Sequence, residues 1–169
     1  MADDVFPDRD MSPRDKIEFM LEQDGWAMDA VRARTDLDPP MPTYSYTVGV
    51  TDRFGFPEVC IFGLKPVACR GLFGMVVDAL VGGTEFPIGA PFIGLLDGGQ
   101  ACAFLPVDPD VAVGMLPALA EHRRLAGAAE TDFSMVQLTW PDRSGNLPWE
   151  PAFDPAMAPV QLLLGDPPA

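Results

Sequence analysis

The sequence predicts a single α+β domain, an antiparallel or mixed β-sheet packed with two to three α-helices. Three observations carry this. Apolar and polar residues alternate strictly from Tyr44 to Thr51, the period of a strand with one buried face. Apolar residues fall at helical spacing between Pro66 and the pair Gly82-Gly83. Short apolar runs and helical stretches are interleaved along 169 residues, a length that suits one domain.

The elements follow in order. Residues 1–11 are polar and acidic without periodicity and read as a disordered tail. The domain is expected over 12–165, with a short C-terminal tail at 166–169. Ser12 is a suitable N-cap, Pro13 suits the first helical position and Asp15 favours the positive end of the helix dipole. Ile17, Met20 and Leu21 give this helix its apolar face, and Gly25 stops it. The stretch WAMDAVRA (26–33) fits either an extension of the helix or a strand. Asp38-Pro39-Pro40-Met41-Pro42 reads as a stiff extended linker, because proline fixes φ and restricts the residue before it.

A strand is expected from Thr43 to Thr51, then a turn over Asp52–Gly55, then a neighbouring strand over Val59–Leu64. The second is apolar on both faces and so belongs in the middle of the sheet. The helix opened by Pro66 uses Leu72, Met75, Val76, Ala79 and Leu80 as its apolar residues. Residues 84–91 read as loop. Phe92–Leu96 and Gln100–Leu105, joined by Asp97-Gly98-Gly99, form a hairpin. Asp108-Pro109 caps a further helix whose apolar face is Val111, Met115, Leu116, Leu119 and Ala120, and Pro117 must kink or split it. Strands are expected at Ser134–Thr139 and, short and last, at Val160–Leu164.

Composition excludes some functions. Lys and Arg number 11 against 25 Asp and Glu, a net charge of −14. That argues against nucleic acid and against anionic membrane surfaces, and it suits a basic protein or peptide partner. Cys60, Cys69 and Cys102 lie singly in apolar runs, as buried reduced thiols do in a cytoplasmic protein. With no CxxC pair and one histidine, a Cys/His zinc site is not expected, and no cofactor is implied. No apolar run reaches the length of a membrane span. Homo-oligomerisation is left open.

The candidate site residues lie at strand ends. His122 is unique, but it sits late in a helix beside Arg123 and Arg124, where a cation complements the dipole. It therefore reads as a surface helix residue before a general base. Asp52 and Asp142 each sit in a turn, where aspartate bonds nearby backbone N–H groups. Glu58 enters an apolar strand and needs a partner, for which Arg53, Thr51 and Tyr46 are the candidates. Trp140 and Trp149 flank a Pro- and Gly-rich turn and either cap the core or line a shallow pocket.

The segments YTVGVTDRFGFPEV, FGL, FLPVDP and LTWPDRSGNLPWEP, in this order and spacing, resemble the bacterial family catalogued as domain of unknown function 4262. The resemblance covers about Pro13 to Leu164. It implies that Trp26–Ala33 is a strand. It also implies Tyr46, Thr51, Glu58, Trp140, Asp142, Trp149 and Glu150 as the positions of any shared site. The family pattern usually places histidine before Pro-Glu. Here Phe56 stands there, so no metal or acid–base role tied to that histidine can operate.

Three functions are compatible with these residues. The first is a non-enzymatic binding or accessory module that docks a basic protein or peptide. The second is an enzyme or binder of a small molecule or divalent metal, with Glu58 acting beside Asp142 or Glu150. The third is a component of an assembly, which predicts an exposed apolar patch near Phe92–Leu95.

Overall fold

Six strands form one mixed sheet between two layers of helix in the computed structural model, which describes residues 10–168. The expected N-terminal tail lies almost wholly outside the described residues. The helices are α1 (Pro13–Asp24), α2 (Val50–Phe54), α3 (Pro66–Val81), α4 (Pro109–Ala112) and α5 (Pro117–Leu125). The strands are β1 (Ala27–Val31), β2 (Tyr44–Val48), β3 (Glu58–Phe62), β4 (Pro91–Ile93), β5 (Ala101–Val107) and β6 (Met135–Thr139). Their order is β1-β2-β3-β6-β5-β4, and only the central pair β3 and β6 is parallel. This is an α+β domain.

The local signals act as read. Ser12 accepts the N–H of Asp15 at 3.1 Å, and Gly25 ends α1 in the left-handed conformation with φ 78°. Residues 27–31 are strand. Pro117 does split its helix: α4 ends at Ala112, a 3₁₀ turn follows, and α5 begins at Pro117 itself. Proline supplies no N–H to an earlier carbonyl, so a helix can start there but not pass through.

The core has two sides because β2, β3 and β6 are buried on both faces. One side joins Val59, Ile61, Val136 and Leu138 of the sheet to Phe73 and Val76 of α3. The other joins Tyr44, Tyr46, Cys60 and Phe62 to Met20 of α1 and Leu116 and Leu119 around α5. Phe56 belongs to the first side, edge-on to Phe86 and Phe104 at centroid distances of 5.8 and 5.4 Å.

Several expectations need correction. β2 stops at Val48, and residues 50–54 are helical, so the expected turn is a short helix. Gly49 makes the change of direction. Its φ is 94°, and a Cβ there would stand 2.6 Å from Leu21 Cδ2. Ser45 and Thr47, expected to face solvent, are buried because α3 covers their side. The buried face of α3 is Cys69, Phe73, Val76 and Val77, whereas Met75 is exposed. The proline linker is not extended: Arg34 and Met41 exchange backbone hydrogen bonds at 2.9 Å, so the chain turns back between them.

Val160–Leu164 is not a strand either. Both edges of β6 are already paired, so this segment is held by side chains. Gln137 Nε2 donates to the Leu162 carbonyl at 2.7 Å, and its Oε1 accepts Leu164 N at 2.7 Å and Gly165 N at 2.9 Å. The Gln161 side chain bonds both the N–H and the carbonyl of Trp140. Within Phe92–Leu95, Leu95 is buried and Phe92 packs on Phe86, leaving Ile93 as the one exposed large apolar side chain of that stretch.

Candidate functional site

The parallel register of β3 and β6 decides which candidates can meet. Glu58 pairs with Met135 at the start of both strands. Trp140 follows the other end of β6, and its indole N–H donates to the Phe62 carbonyl at 2.9 Å. Four strand rises separate Glu58 from Phe62, about 13 Å. Asp142 lies two residues beyond Trp140, so it and Glu58 stand at opposite ends of the β3–β6 pair, and the Glu150 carboxylate is bound within the Asp142 loop, accepting Leu147 N.

Glu58 is 3% exposed. Its Oε1 accepts the Thr47 hydroxyl at 2.8 Å and Val50 N at 3.1 Å, and its Oε2 accepts Thr51 N at 3.2 Å. Thr51 was among the expected partners, and it serves through its backbone; Arg53 and Tyr46 do not serve. Gly49 has no side chain to cap α2, so the carboxylate of β3 takes up the first N–H groups of that helix. Burial raises the Glu58 carboxyl above the usual carboxylate range, and the donors from Thr47, Thr51 and Val50 offset only part of that.

Around Glu58 opens a cleft of about 420 Å³. Leu119 and Phe133 give it apolar surface, and Thr51 and Ser134 line it beside Glu58. Its charged rim comes from α2, α5 and the loop into β6. His122 Nε2 lies 3.2 Å from Asp52 Oδ2. Arg123 reaches Asp52 Oδ1 at 3.6 Å and Asp132 Oδ2 at 3.7 Å, distances at which charges attract without a direct hydrogen bond. The Arg123 Nε–H is buried and has no acceptor. His122 is thus not a surface residue serving the helix dipole alone: it is three-quarters buried and shares a carboxylate with its neighbour. Asp52 and His122 also line an adjoining cleft of about 520 Å³ against the end of α1.

The remaining candidates do structural work. The Tyr46 hydroxyl donates to Asp29 Oδ2 at 2.6 Å and accepts Ala118 N at 2.9 Å, fixing β1 and the start of α5. Burial, with Asp29 adding to it, pushes this phenol far up, and it stays protonated. Asp142 accepts Ser144 N and Asn146 N at 2.9 Å and Asp154 N at 2.8 Å. Burial would raise its carboxyl, but the N–H donors of Asn146, Asp154 and Ser144 together hold it below the usual range. Glu150 closes the same loop by accepting Leu147 N, and Trp149 packs on Leu147 and its neighbours. Trp140 and Asp142 line a separate cleft of about 550 Å³ with Arg143 and Met157.

Burial pushes the Cys60 thiol up to about 12 and that of Cys102 to about 11, so neither is a nucleophile at neutral pH. Among the described residues, no three His, Cys, Asp or Glu side chains are grouped to hold a metal ion. No helix among them is long and apolar enough to cross a membrane.

Sequence reading named Thr51 and Glu58 but missed Arg123, Asp132 and Ser134, and it set His122 and Asp52 aside. Only the uniqueness of His122 marked it, since 70 residues separate it from Asp52. A family model described as Domain of unknown function (DUF4262) matches residues 20–154, a span that includes every residue lining the cleft beside Glu58. No curated protein and no solved structure matches the chain.

Proposed function

We propose, from the premise that this chain belongs to the family described as Domain of unknown function (DUF4262), that it is a binding domain that takes a small polar group into the cleft beside Glu58. One observation carries the reading. A buried carboxylate, the chain's only histidine and an arginine held between two carboxylates all line the same 420 Å³. Concave sites with a few convergent polar groups are where small ligands bind.

The net charge of −14 supports the reading further, because it draws cationic groups toward the rim. The expected basic protein or peptide partner is one source of such a group. A reducing, cytoplasmic setting belongs to the same proposal, supported by three buried, unbridged cysteines.

The test is a ¹⁵N NMR screen of the full chain against a panel of amino acids, amides, sugars, nucleosides and dicarboxylates. Shifts are expected to cluster at Thr51, Asp52, His122, Arg123, Asp132 and Ser134. Shifts confined to the Trp140–Asp154 cleft, or none at all, would reject the reading.

A further inference from the structure

We infer that the outer face of α3 is a docking surface for a second copy of this chain, laid antiparallel about a two-fold axis at Gly74. The inference is independent of the cleft beside Glu58, none of whose lining belongs to α3.

The first observation is a surface helix that is apolar all round. Of the 16 residues of α3, only Arg70 and Asp78 are charged. Cys69, Phe73, Val76 and Val77 form its buried face. The face away from them should be polar in a helix that meets water. It carries instead Val67 and Val81, 78% and 70% exposed, the two most exposed large apolar side chains among the described residues, together with Met75. A helix apolar on every side is ordinarily a buried one, so this face calls for a cover. Gly71 and Gly74 lie in the same helix, and a Cβ at either would meet no atom within 4 Å. Glycine is a poor helix former, and packing within the chain gives no reason for it at either position. Close approach of a second backbone does.

The occupant follows from where the two charges stand. Val67, Arg70, Gly74, Asp78 and Val81 are spaced by three, four, four and three residues, which keeps them on one stripe of the helix. The spacing is the same in both directions from Gly74. A second copy placed antiparallel, Gly74 against Gly74, therefore sets Arg70 beside Asp78 of the second copy and Asp78 beside its Arg70. Val67 comes level with Val81 of the second copy, and Val81 with its Val67. Opposite charges meet twice and apolar ends meet twice. A two-fold interface has to be complementary to itself in this way, whereas an unrelated partner makes no such demand. Arg70 also stands 3.7 Å from Asp24 of its own chain, with both side chains more than one-third exposed, so that attraction is screened. The stripe is about 21 Å long. A single helix pair of that length falls short of the roughly 800 Å² per partner of a standard interface, so the dimer is weak, with a Kd of about 10–100 µM.

The experiment is sedimentation equilibrium of the full chain from about 5 to 500 µM in about 0.3 M salt, which screens the repulsion between two chains of charge −14. A concentration-dependent dimer is expected. Gly74→Leu fills the point of closest approach and is expected to weaken the dimer at least about tenfold, while the melting temperature of the dilute monomer holds or rises. Arg70→Asp and Asp78→Arg each set like charges together, and each variant alone is expected to be monomeric, with far-UV circular dichroism checking the fold. Mixed in equal amounts, the two variants restore opposite charges at both contacts, and a heterodimer is expected. A role for either residue within its own chain would not produce that recovery. If the native chain dimerises but the mixture stays monomeric, or Gly74→Leu dimerises as tightly, the α3 interface is overturned. A native chain that is monomeric throughout overturns the second copy as occupant, and flotation of that monomer with phosphatidylcholine vesicles would assign the face to a lipid surface instead.

Discussion

Glu58 Oε2 accepts the backbone N–H of Thr51 at 3.2 Å, so a carboxylate at the start of β3 closes the start of α2. This contact explains why a connection between two antiparallel strands carries Thr47, Thr51 and Glu58 together. The helix replaces a hairpin turn, its glycine N-cap offers no side chain, and the missing acceptor comes from the strand that follows.

Glu58→Gln is expected to keep the fold and lower its stability. The amide presents an NH₂ where Oε2 receives Thr51 N, and an orphaned buried donor costs about 1–3 kcal/mol. Urea unfolding at neutral pH measures it. An unchanged midpoint would show that the carboxylate is not a cap.

The pH dependence of that difference has a definite sign. Burial raises the folded Glu58 carboxyl above its unfolded value. A raised carboxyl stabilises the fold most below the unfolded pKa, near 4.3, and loses that contribution as pH rises through the folded pKa. The stability gap between the native chain and Glu58→Gln should widen as pH falls from neutral toward that value. Paired urea melts across the acid range check this, and a gap that narrows refutes it.

Asp142 is expected to behave in the opposite way. Its carboxyl is held below its unfolded value by three N–H donors. Its contribution is present above the unfolded pKa, near 3.9, and is lost as pH falls through the folded value. Asp142→Asn should lower the melting temperature at neutral pH, with the deficit shrinking below about pH 4. Thermal melts of both proteins test this; a deficit that persists in acid contradicts it.

Gln137 replaces a strand ladder with one side chain. Gln137→Leu removes its bonds to Leu162, Leu164 and Gly165 and puts an apolar group against their backbone. The expected cost is about 2–4 kcal/mol, from several bonds of roughly 1 kcal/mol each and the groups left unpaired. Hydrogen exchange at Leu164 and Gly165 should accelerate before the β3 and β6 amides lose protection. Simultaneous loss everywhere would show that the segment is part of the global fold.

Much of the fold was legible in the sequence because its signals are local. Ser12-Pro13 and Gly25 bound α1, Pro66 and Gly82 bound α3, and Pro117 divides α4 from α5, each acting through its own backbone. The C-terminal segment was illegible because Gln137 and Gln161 act on chain about 25 residues away. A glutamine in an apolar run does not announce its partner. The site divided in the same way. Glu58 stood out as a carboxylate entering an apolar strand. Arg123 and Asp132 did not, because a charged residue late in a helix and another in a loop look like ordinary surface until the topology brings them to one cleft. The expected pairing of Glu58 with Asp142 failed for a related reason: pairing direction is a property of the whole sheet, and a parallel β3–β6 pair sends the two residues to opposite ends.

The Asp52–His122 contact joins α2 to α5 at 3.2 Å, and its energy is expected to be small. The Asp52 side chain is 59% exposed, so water screens the pair. Exposed pairs of this kind contribute about 0.2–1 kcal/mol. A double-mutant cycle with Asp52→Asn and His122→Gln measures the coupling directly. The coupling should stay within that range at low and at high salt. A coupling well above that range would mean that the pair is a buried structural link. The small expected value leaves both side chains available to a group entering the cleft, at little cost to the fold.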